Sequence, residues 1–545
     1  MLSQEELYSF TPLMNSFLLE WKEFTYSSPF IIISTKKGEL RLELKEFSLV
    51  GHHRYSGKIT LNECALSFED FLELLNDVLN IPADDRSFIS RVKESHECIL
   101  ESIKLNGQSF KKIAPHFRDT ETALFIGHSL HPTPKSRSEF SREDLSLYSP
   151  EHGGIFQLEW MQVHKSIFFQ RYSNFFSDLE WQNKLCGLNS KNDFHLLPLH
   201  PWQKKKLLEL KIIQEYLEKG LLKFEGVDER KWIPTSSLRT IYNEESPYMI
   251  KFSLSLKMTN SVRHLLVHEL ERGLQIHEVS QHSYFQPLFE EFPHFKIIQE
   301  PYYAGITDAE GEPITESLIM LRENPIRKND EVSLIATLTQ PTIQGGESLL
   351  QNLIQNSNLS PIQWFTEYLN VAIAPLLVAQ GEYGLLLGAH QQNLVLKFTQ
   401  GKPSGAYFRD CHGTGYDMKK IAGFASEIEK ITEENGNLLP EDVSHYLFGY
   451  YVIINSVFNM ISAIAQNTHV LEKDLLEAYG DFLRNLSLRE KLDPAFVKYL
   501  LERRFLKHKG NFFCTVRSIN ENTTSNPLNI YTDIENPLLK VAYGK

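Results

Sequence analysis

The sequence predicts an α+β protein of several domains, and three features lead there. Its 545 residues exceed what one hydrophobic core ordinarily serves. Between about 119 and 375, β-type runs, loops and helical patterns alternate. From 417 to 510, apolar residues recur at helical spacing with Glu and Lys on the other faces. The expectation is mixed sheets with a helix-rich C-terminal part, divided into residues 1–118, 119–375 and 376–545.

The first segment mixes helical patterns with short strands such as Phe30-Ile31-Ile32-Ile33-Ser34 and holds no evident chemistry. In the second, Tyr248 to Lys257 alternates strictly. Ile250, Phe252, Leu254 and Leu256 point to one side, and Lys251, Ser253, Ser255 and Lys257 to the other, as in a half-buried strand. Thr259, Asn260 and Ser261 are all N-cap residue types, and Val262, Leu265, Leu266 and Leu270 form a helical face, so a helix is expected to start there. After Pro361 a helical pattern runs from Ile362 to Gln380. It leads into Gly388-Ala389-His390-Gln391-Gln392-Asn393, an apolar run, a Gly/Pro-rich break, and a second run ending in Phe408-Arg409-Asp410-Cys411-His412-Gly413. That order reads as a β-hairpin with its functional groups at the open end. The tail from Asn520, rich in Asn, Thr and Pro, reads as irregular.

Composition excludes several classes. A net charge of −13 without a dense basic run disfavours nucleic acid and anionic membranes as partners. The most basic stretch, Lys204-Lys205-Lys206, reads as a solvated helix face. The five cysteines (Cys64, Cys98, Cys186, Cys411, Cys514) form no CxxC pair, which argues against a disulfide framework, a zinc ribbon or a thioredoxin-like centre. The opening Met1-Leu2-Ser3-Gln4-Glu5-Glu6 lacks the basic and apolar regions of a signal peptide. The best apolar run, Tyr451 to Gln466, is broken by Asn455 and Asn459. A soluble cytoplasmic protein is expected.

Three clusters carry the chemistry. If the hairpin loop is symmetric about residues 401–402, Asn393 and Asp410 face each other across the strands with Cβ atoms roughly 5 Å apart. With His390 on the approach, they make a hard-oxygen site suited to Mg²⁺ carrying phosphates. Second, Ser236-Ser237-Leu238-Arg239-Thr240, the strand Lys251 and Arg263 surround the expected helix N-terminus, whose free N–H groups attract anions. Third, Gly127-His128-Ser129-Leu130-His131-Pro132-Thr133-Pro134-Lys135-Ser136-Arg137 is a proline-constrained loop presenting donors to an anion, with no zinc-ligand spacing. His264 and His268 lie four apart without the HExxH order, and Leu199-His200-Pro201-Trp202-Gln203 reads as a structural turn around a buried Trp. Gly51 to Lys58 misses the P-loop pattern, with Ile59 where Ser or Thr is required; Gly413-Thr414-Gly415 does not complete GxGxxG, and no GxSxG elbow exists.

These clusters, in this order, resemble the aerobactin-synthetase (IucA/IucC) family of siderophore synthetases that work without a nonribosomal peptide synthetase. The family pattern GHPxHPxxKxRxGF corresponds to Gly127–Phe140. Its Ser-x-Arg is Ser237-Leu238-Arg239, and its strand Lys with Thr-x-x-x-Arg is Lys251, Thr259 and Arg263. EAHxQN and RDxxG correspond to Gly388–Asn393 and Arg409–Gly413. Together they span roughly residues 119–415. Ser129 and Glu139 replace a Pro and a Gly, and Gly388 stands where the family often has Glu, which moves the metal expectation onto Asp410.

The resemblance implies an ATP-dependent ligase that adenylates citrate or a citrate derivative and condenses it with an amine or alcohol. It implies that Ser237, Arg239, Lys251, Gln392, Asn393 and Asp410 bind the nucleotide, with Asn393 and Asp410 on Mg²⁺. His131, Lys135, Thr259, Arg263 and His390 would bind the carboxylate substrate, and His131, Arg263 and His390 would be catalytic. It further implies a cupped hand with an N-terminal thumb, fingers and palm, a polyamine or amino acid as nucleophile, and a homodimer. Two alternatives stay open: a kinase-like phosphotransferase, since a His-x-x-Asn strand and a following Asp also serve Mg²⁺ and ATP there, and a catalytically silent carboxylate- or ferric-siderophore-binding protein.

Overall fold

The computed structural model describes residues 1–82, 84–186, 193–258, 261–421, 424, 426–432, 435–519 and 527–542. Its N-terminal layer is a five-stranded antiparallel meander, Thr25–Ser27, Phe30–Thr35, Gly38–Glu46, Arg54–Leu61 and Cys64–Ala65. The strands read alternately apolar and polar. Their buried sides, Ile31, Ile33, Leu40 and Leu42, meet Phe10, Leu13 and Phe17 of helix Gln4–Glu20 and Phe71 of helix Phe68–Val78. Ser3 and Ser67 start these helices with reciprocal capping boxes. Phe512, from near the chain's other end, completes this core.

The middle of the chain builds two sheets around one core. One has the order Phe194–Leu199, Glu159–His164, Leu222–Val227. The other is six-stranded: Ile233–Pro234, Thr240–Tyr242, Tyr248–Phe252, Ile319–Glu323, Tyr302–Ile306, Phe168–Tyr172. Ile250, Phe252, Leu254 and Leu256 all face the shared core, as their alternation predicts. The opposite face differs from expectation: Lys251 is 0% exposed rather than solvated. The expected single strand is interrupted at Ser253, whose hydroxyl donates to the Thr315 carbonyl at 2.6 Å and accepts the Leu265 N–H at 2.9 Å.

The expected helix start at residues 259–261 is also corrected. Ser261–Arg263 is a strand paired antiparallel with Leu254–Met258, and the helix runs from Val267 to Gln281 with no side-chain cap. Ladder hydrogen bonds to a strand already held by the core outweigh the local N-cap composition. Thr259 and Asn260 lie outside the described residues.

The C-terminal part packs helices against a four-stranded sheet ordered Phe295–Ile297, Lys402–Phe408, Leu394–Thr399, Val332–Leu334. Continuous helices Pro361–Tyr383 and Glu441–Asn467 are long and apolar enough to cross a membrane, yet 67% and 89% of their most apolar windows are buried inside the molecule, as core helices are. Both contain π-helical turns, at Leu369–Ile373 and Gly449–Phe458. Such wider turns commonly stand beside functional sites. The second stands beside a candidate one: its Ser456 hydroxyl donates to the Ala389 carbonyl at 2.9 Å, one residue before His390.

Candidate active site

The hairpin at 394–408 forms with a register that corrects the expected pairing. A two-residue turn at Gln400–Gly401, both with positive φ, joins Thr399 to Lys402, and a bulge between Lys397 and Phe398 shifts the ladder by one. Leu394 therefore faces Phe408, and the Arg409 N–H donates to the Asn393 carbonyl at 3.0 Å. Asn393 lies beside Arg409, not opposite Asp410. A one-residue shift moves every side chain to the other face, and Asp410 lies just past the strand with φ +71°.

Arg409 fixes that turn. Buried to 2% exposure, its guanidinium pairs with Glu121, donates to the Ser236 hydroxyl at 3.3 Å and to the Gln392 carbonyl at 3.0 and 3.2 Å. Glu121 also accepts the Ser236 N–H at 2.8 Å, and the Gln392 amide donates to the Ser236 hydroxyl at 3.2 Å. One buried ion pair thus locks the hairpin to the 235–240 turn, where Ser237 accepts the Thr240 N–H at 3.3 Å and Leu238 has φ +64°. Arg239 leaves this turn to donate to the His264 and Arg263 carbonyls at 3.1 and 3.4 Å, setting the path of the Arg263 strand.

Asp410 meets the six-stranded sheet. Lys251 Nζ lies 2.6 Å from one carboxylate oxygen and Arg322 3.7 Å from the other. Lys251 and Arg322 share a sheet face, because Lys251 pairs with Met320 and Met249 with Arg322. Arg322 also grips buried Glu300 at 2.5 Å, whose second oxygen accepts the Cys411 N–H at 3.0 Å. His412 sits 3.1 Å from Lys251 Nζ and 3.4 Å from Glu269. Burial opposes ionisation of Asp410, but Lys251, His412 and Arg322 hold it well below the usual carboxylate range. The same burial lowers Lys251 to about 8, resisted by Asp410 and Glu300. Burial would raise Glu300; Arg322 and Lys251 keep it low.

Donor atoms of Glu300, Asp410 and His412 lie within 4.8 Å of one another. Glu300 is committed to Arg322 and the Cys411 N–H, however, whereas the Asp410 side chain keeps 19% exposure. This donor set does not fit a protein-only metal cage. It does fit Mg²⁺ held by one carboxylate together with water and phosphate oxygens.

Gly388 lies against the same turn. A Cβ there would stand 2.8 Å from the Gly413 carbonyl oxygen, so residue 388 has no room for a Glu side chain while the 411–413 turn stays in place.

Facing this cluster is a group of imidazoles and cations. The His131 and His390 Nδ1 atoms accept the Thr133 and Gln392 N–H groups at 3.1 and 3.2 Å. A backbone N–H can only donate, so each ring carries its own proton on Nε2 and presents a donor. Burial lowers His390 to about 4 and His131 well below its ordinary value; Lys509 and Arg263 push both the same way. Both rings are neutral at pH 7. His131 Nε2 lies 3.4 Å from the Thr515 hydroxyl, and its ring is 6.3 Å from that of His128. Lys509 and Thr515 come from the C-terminal strand Phe505–Lys509 and helix Asn511–Arg517.

One expected substrate residue is corrected. Lys135 is 4% exposed, and its ammonium is taken by the Leu124 carbonyl at 2.6 Å and by Glu151 at 3.3 Å, which Arg137 shares at 2.7 Å. A buried ammonium needs such partners, so Lys135 anchors the His131 loop. Sequence reasoning missed Glu300, Arg322, His412, Glu121 and Lys509. An arginine inside the apolar run Ile319-Met320-Leu321-Arg322 was a readable signal, because such a charge is stable there only with a buried acid. Lys509 carried none.

Buried cations and imidazole donors around Asp410 make a site suited to anionic ligands, and comparison with known proteins gives its class. Residues 116–340 match the IucA / IucC family, and residues 362–524 match the model described as ferric iron reductase FhuF-like transporter. The chain is 35% identical to the N(2)-citryl-N(6)-acetyl-N(6)-hydroxylysine synthase of Vibrio mimicus, over 92% of this chain and 89% of that one. Over 78% of this chain and 74% of the other, it is 31% identical to a spermidine-citrate ligase of Bacillus anthracis. ATP-bound aerobactin synthetase IucA from Klebsiella pneumoniae superposes with a TM-score of 0.88 at 30% identity, covering 97% of this chain and 99% of that one. The protein belongs to the IucA/IucC family of siderophore synthetases.

Proposed function

We propose that the protein uses ATP to adenylate a carboxyl group of citrate or a citrate derivative and passes the acyl group to an amine, releasing AMP and pyrophosphate. The observation that carries this reading is the pairing of two unlike anion sites. A buried Asp410–Lys251–Arg322 cluster suits a nucleotide's phosphates, and a group of Arg263, Lys509 and two neutral imidazole donors suits a polycarboxylate. In this reading Ser237, Arg239, Lys251, Gln392, Asn393 and Asp410 hold the nucleotide, and His131, Thr259, Arg263 and His390 hold the acid. Mg²⁺, bound by Asp410 and Asn393, would offset phosphate charge.

The chain's task is to bring two anions together. Lys251 and Arg263 offset their repulsion, and positioning alone supplies several kcal/mol of such a barrier. A carboxylate oxygen then attacks the α-phosphorus as the α–β anhydride bond breaks. His390 and His131 donate through Nε2–H to oxygens whose charge grows at that moment, which favours the transition state over the bound acid. Without a free lone pair on Nε2, neither ring is the base for the amine. The amine nitrogen next attacks the acyl carbon and AMP departs.

The first nucleophile to try is the α-amine of N6-acetyl-N6-hydroxylysine, the residue named in the Vibrio relative, with spermidine the second. The division at 118 and 375, a homodimer and a cytoplasmic setting belong to the same reading. Incubation with ATP, citrate and each amine, followed by mass spectrometry and nucleotide analysis, tests it. AMP, pyrophosphate and a citryl amide are expected. ADP in their place would establish phosphotransfer, and no turnover or hydroxamate trapping with any carboxylate would establish a binding protein.

A further inference from the structure

Polar residues interrupt the long apolar run from Tyr451 to Gln466 at Asn455, Ser456, Asn459 and Ser462. All four are buried within helix Glu441–Asn467. Burying a polar side chain is unfavourable unless it is hydrogen-bonded. Asn455 and Ser462 find partners on the same helix, the Tyr450 carbonyl at 3.1 Å and the Gln466 amide at 2.9 Å. Ser456 and Asn459 reach out of it instead. The Ser456 hydroxyl donates to the Ala389 carbonyl at 2.9 Å. The Asn459 amide donates to the Gln391 side-chain oxygen at 2.5 Å and to the Thr339 hydroxyl at 2.9 Å.

These contacts bracket His390. Its neighbours Ala389 and Gln391 are 0% and 3% exposed, and His390 is the least buried of the three. Gln391 is held from a second side as well. Its carbonyl accepts the Ala336 N–H at 2.9 Å from helix Ile335–Thr339, the helix whose Thr339 meets Asn459. Ser456 lies inside the π-helical segment Gly449–Phe458, and Asn459 is the first residue after it. One residue added to a helical turn rotates the helix beyond it by about 100°. The wide turns therefore set which side chains meet the 389–391 loop.

We propose that Ser456 and Asn459 are positioning residues for His390, fixing the backbone on both sides of it so that its Nε2–H is aimed before any ligand arrives. Neither residue is offered as a contact to substrate. The aim matters because a misplacement of about 1 Å can cost about 10²-fold in rate. The chemical meaning of this aim rests on the proposed function; the placement of the ring does not.

Ser456→Ala and Asn459→Ala, each alone and each combined with His390→Ala, test it in the full chain. Turnover is read as AMP released from ATP and citrate with hydroxylamine as the acceptor. Each single variant is expected to lower kcat at least about tenfold while leaving KM for ATP within about twofold. Added to His390→Ala, each should lower kcat less than about twofold further, since residues that act through one ring lose their effect when it is gone. An equal fall with and without the His390 ring would overturn the proposal, because the two residues would then serve the fold alone. Ser456→Ala removes a single oxygen, so it carries the test even where Asn459→Ala folds poorly. Spectra of protein isotope-labelled at histidine Cε1, with the His390 signal assigned by its loss in His390→Ala, read the ring without turnover. That signal should move in both single variants, and an unmoved signal would overturn the proposal whatever the activity. A wild type that releases no AMP would count against the proposed function, while the spectra would still decide the positioning.

Discussion

Acid should unfold this protein unusually early, and the buried histidines give the magnitude. His52 and His390 are lowered to about 4 and His53, His128, His200 and His508 to about 3, each chiefly by burial; His131 lies well below its ordinary value for the same reason. These folded-state values lie under the unfolded value of about 6.5. The stability these rings contribute is thus present above pH 6.5 and is lost as pH falls toward 4, because the unfolded chain takes up protons that the folded chain refuses. Between pH 7 and pH 5.5 each of the six rings held near 3 or 4 costs about 1 kcal/mol. Six rings sum to about 6 kcal/mol, partly offset by buried Glu20, which burial raises to about 8 and which acid therefore favours; the balance is still a large share of an ordinary domain's stability of about 5–15 kcal/mol. Urea titrations followed by tryptophan fluorescence at pH 7.0, 6.0 and 5.5 should show the midpoint falling steeply over this range. A midpoint at pH 5.5 equal to that at pH 7 would refute the reasoning, since the rings would then have to accept protons inside the fold.

Four further outcomes are expected. Arg263→Ala and His390→Ala should each lower kcat/KM by at least about 10²-fold, the scale of a lost transition-state contact. Lys204→Ala should stay within about twofold, because its partly exposed pair with Glu159 is worth little; near-normal turnover in either of the first two would remove that residue from the site. Glu121→Gln should cost about 3–5 kcal/mol by stranding Arg409 in the interior. Its urea midpoint checks this, and an unchanged value would show the pair is dispensable. Gly388→Ala should cost about 1–3 kcal/mol, because the new methyl meets the Gly413 carbonyl at 2.8 Å. It should also lower ATP turnover, since that turn carries Asp410 and His412; an unchanged melting point with full activity would show that the turn gives way freely.

Much of the architecture was legible in the sequence because local patterns carried it. The alternation from Ile250 to Leu256 named the core face of its strand, and the hairpin around residue 401 formed where its break lies. Register was not legible. A two-residue turn and one bulge decide it, and each differs from its alternative by a single residue. The helix expected after Met258 failed for a related reason: Ser261–Arg263 found ladder partners in Leu254–Met258, a tertiary outcome that capping statistics do not contain.

The site divides along the same line. Residues on tight turns, such as His131, Arg239, His390 and Asp410, were visible because turns advertise themselves through Gly, Pro and Asn. Residues that arrive from distant strands were not. Glu300 and Lys509 earn their places only through contacts made in the fold, and Arg322 signalled only that it needs a buried acid, not which one. Arg322 makes the point physically. Inside an apolar strand it is tenable only with Glu300, and the pair in turn lets Asp410 and Lys251 be buried together. Asp410 therefore stays ionised through a chain of three partners, of which the sequence disclosed only Lys251. The carboxylate that best suits a phosphate-bound metal depends on residues that lie outside the hairpin's own stretch of sequence.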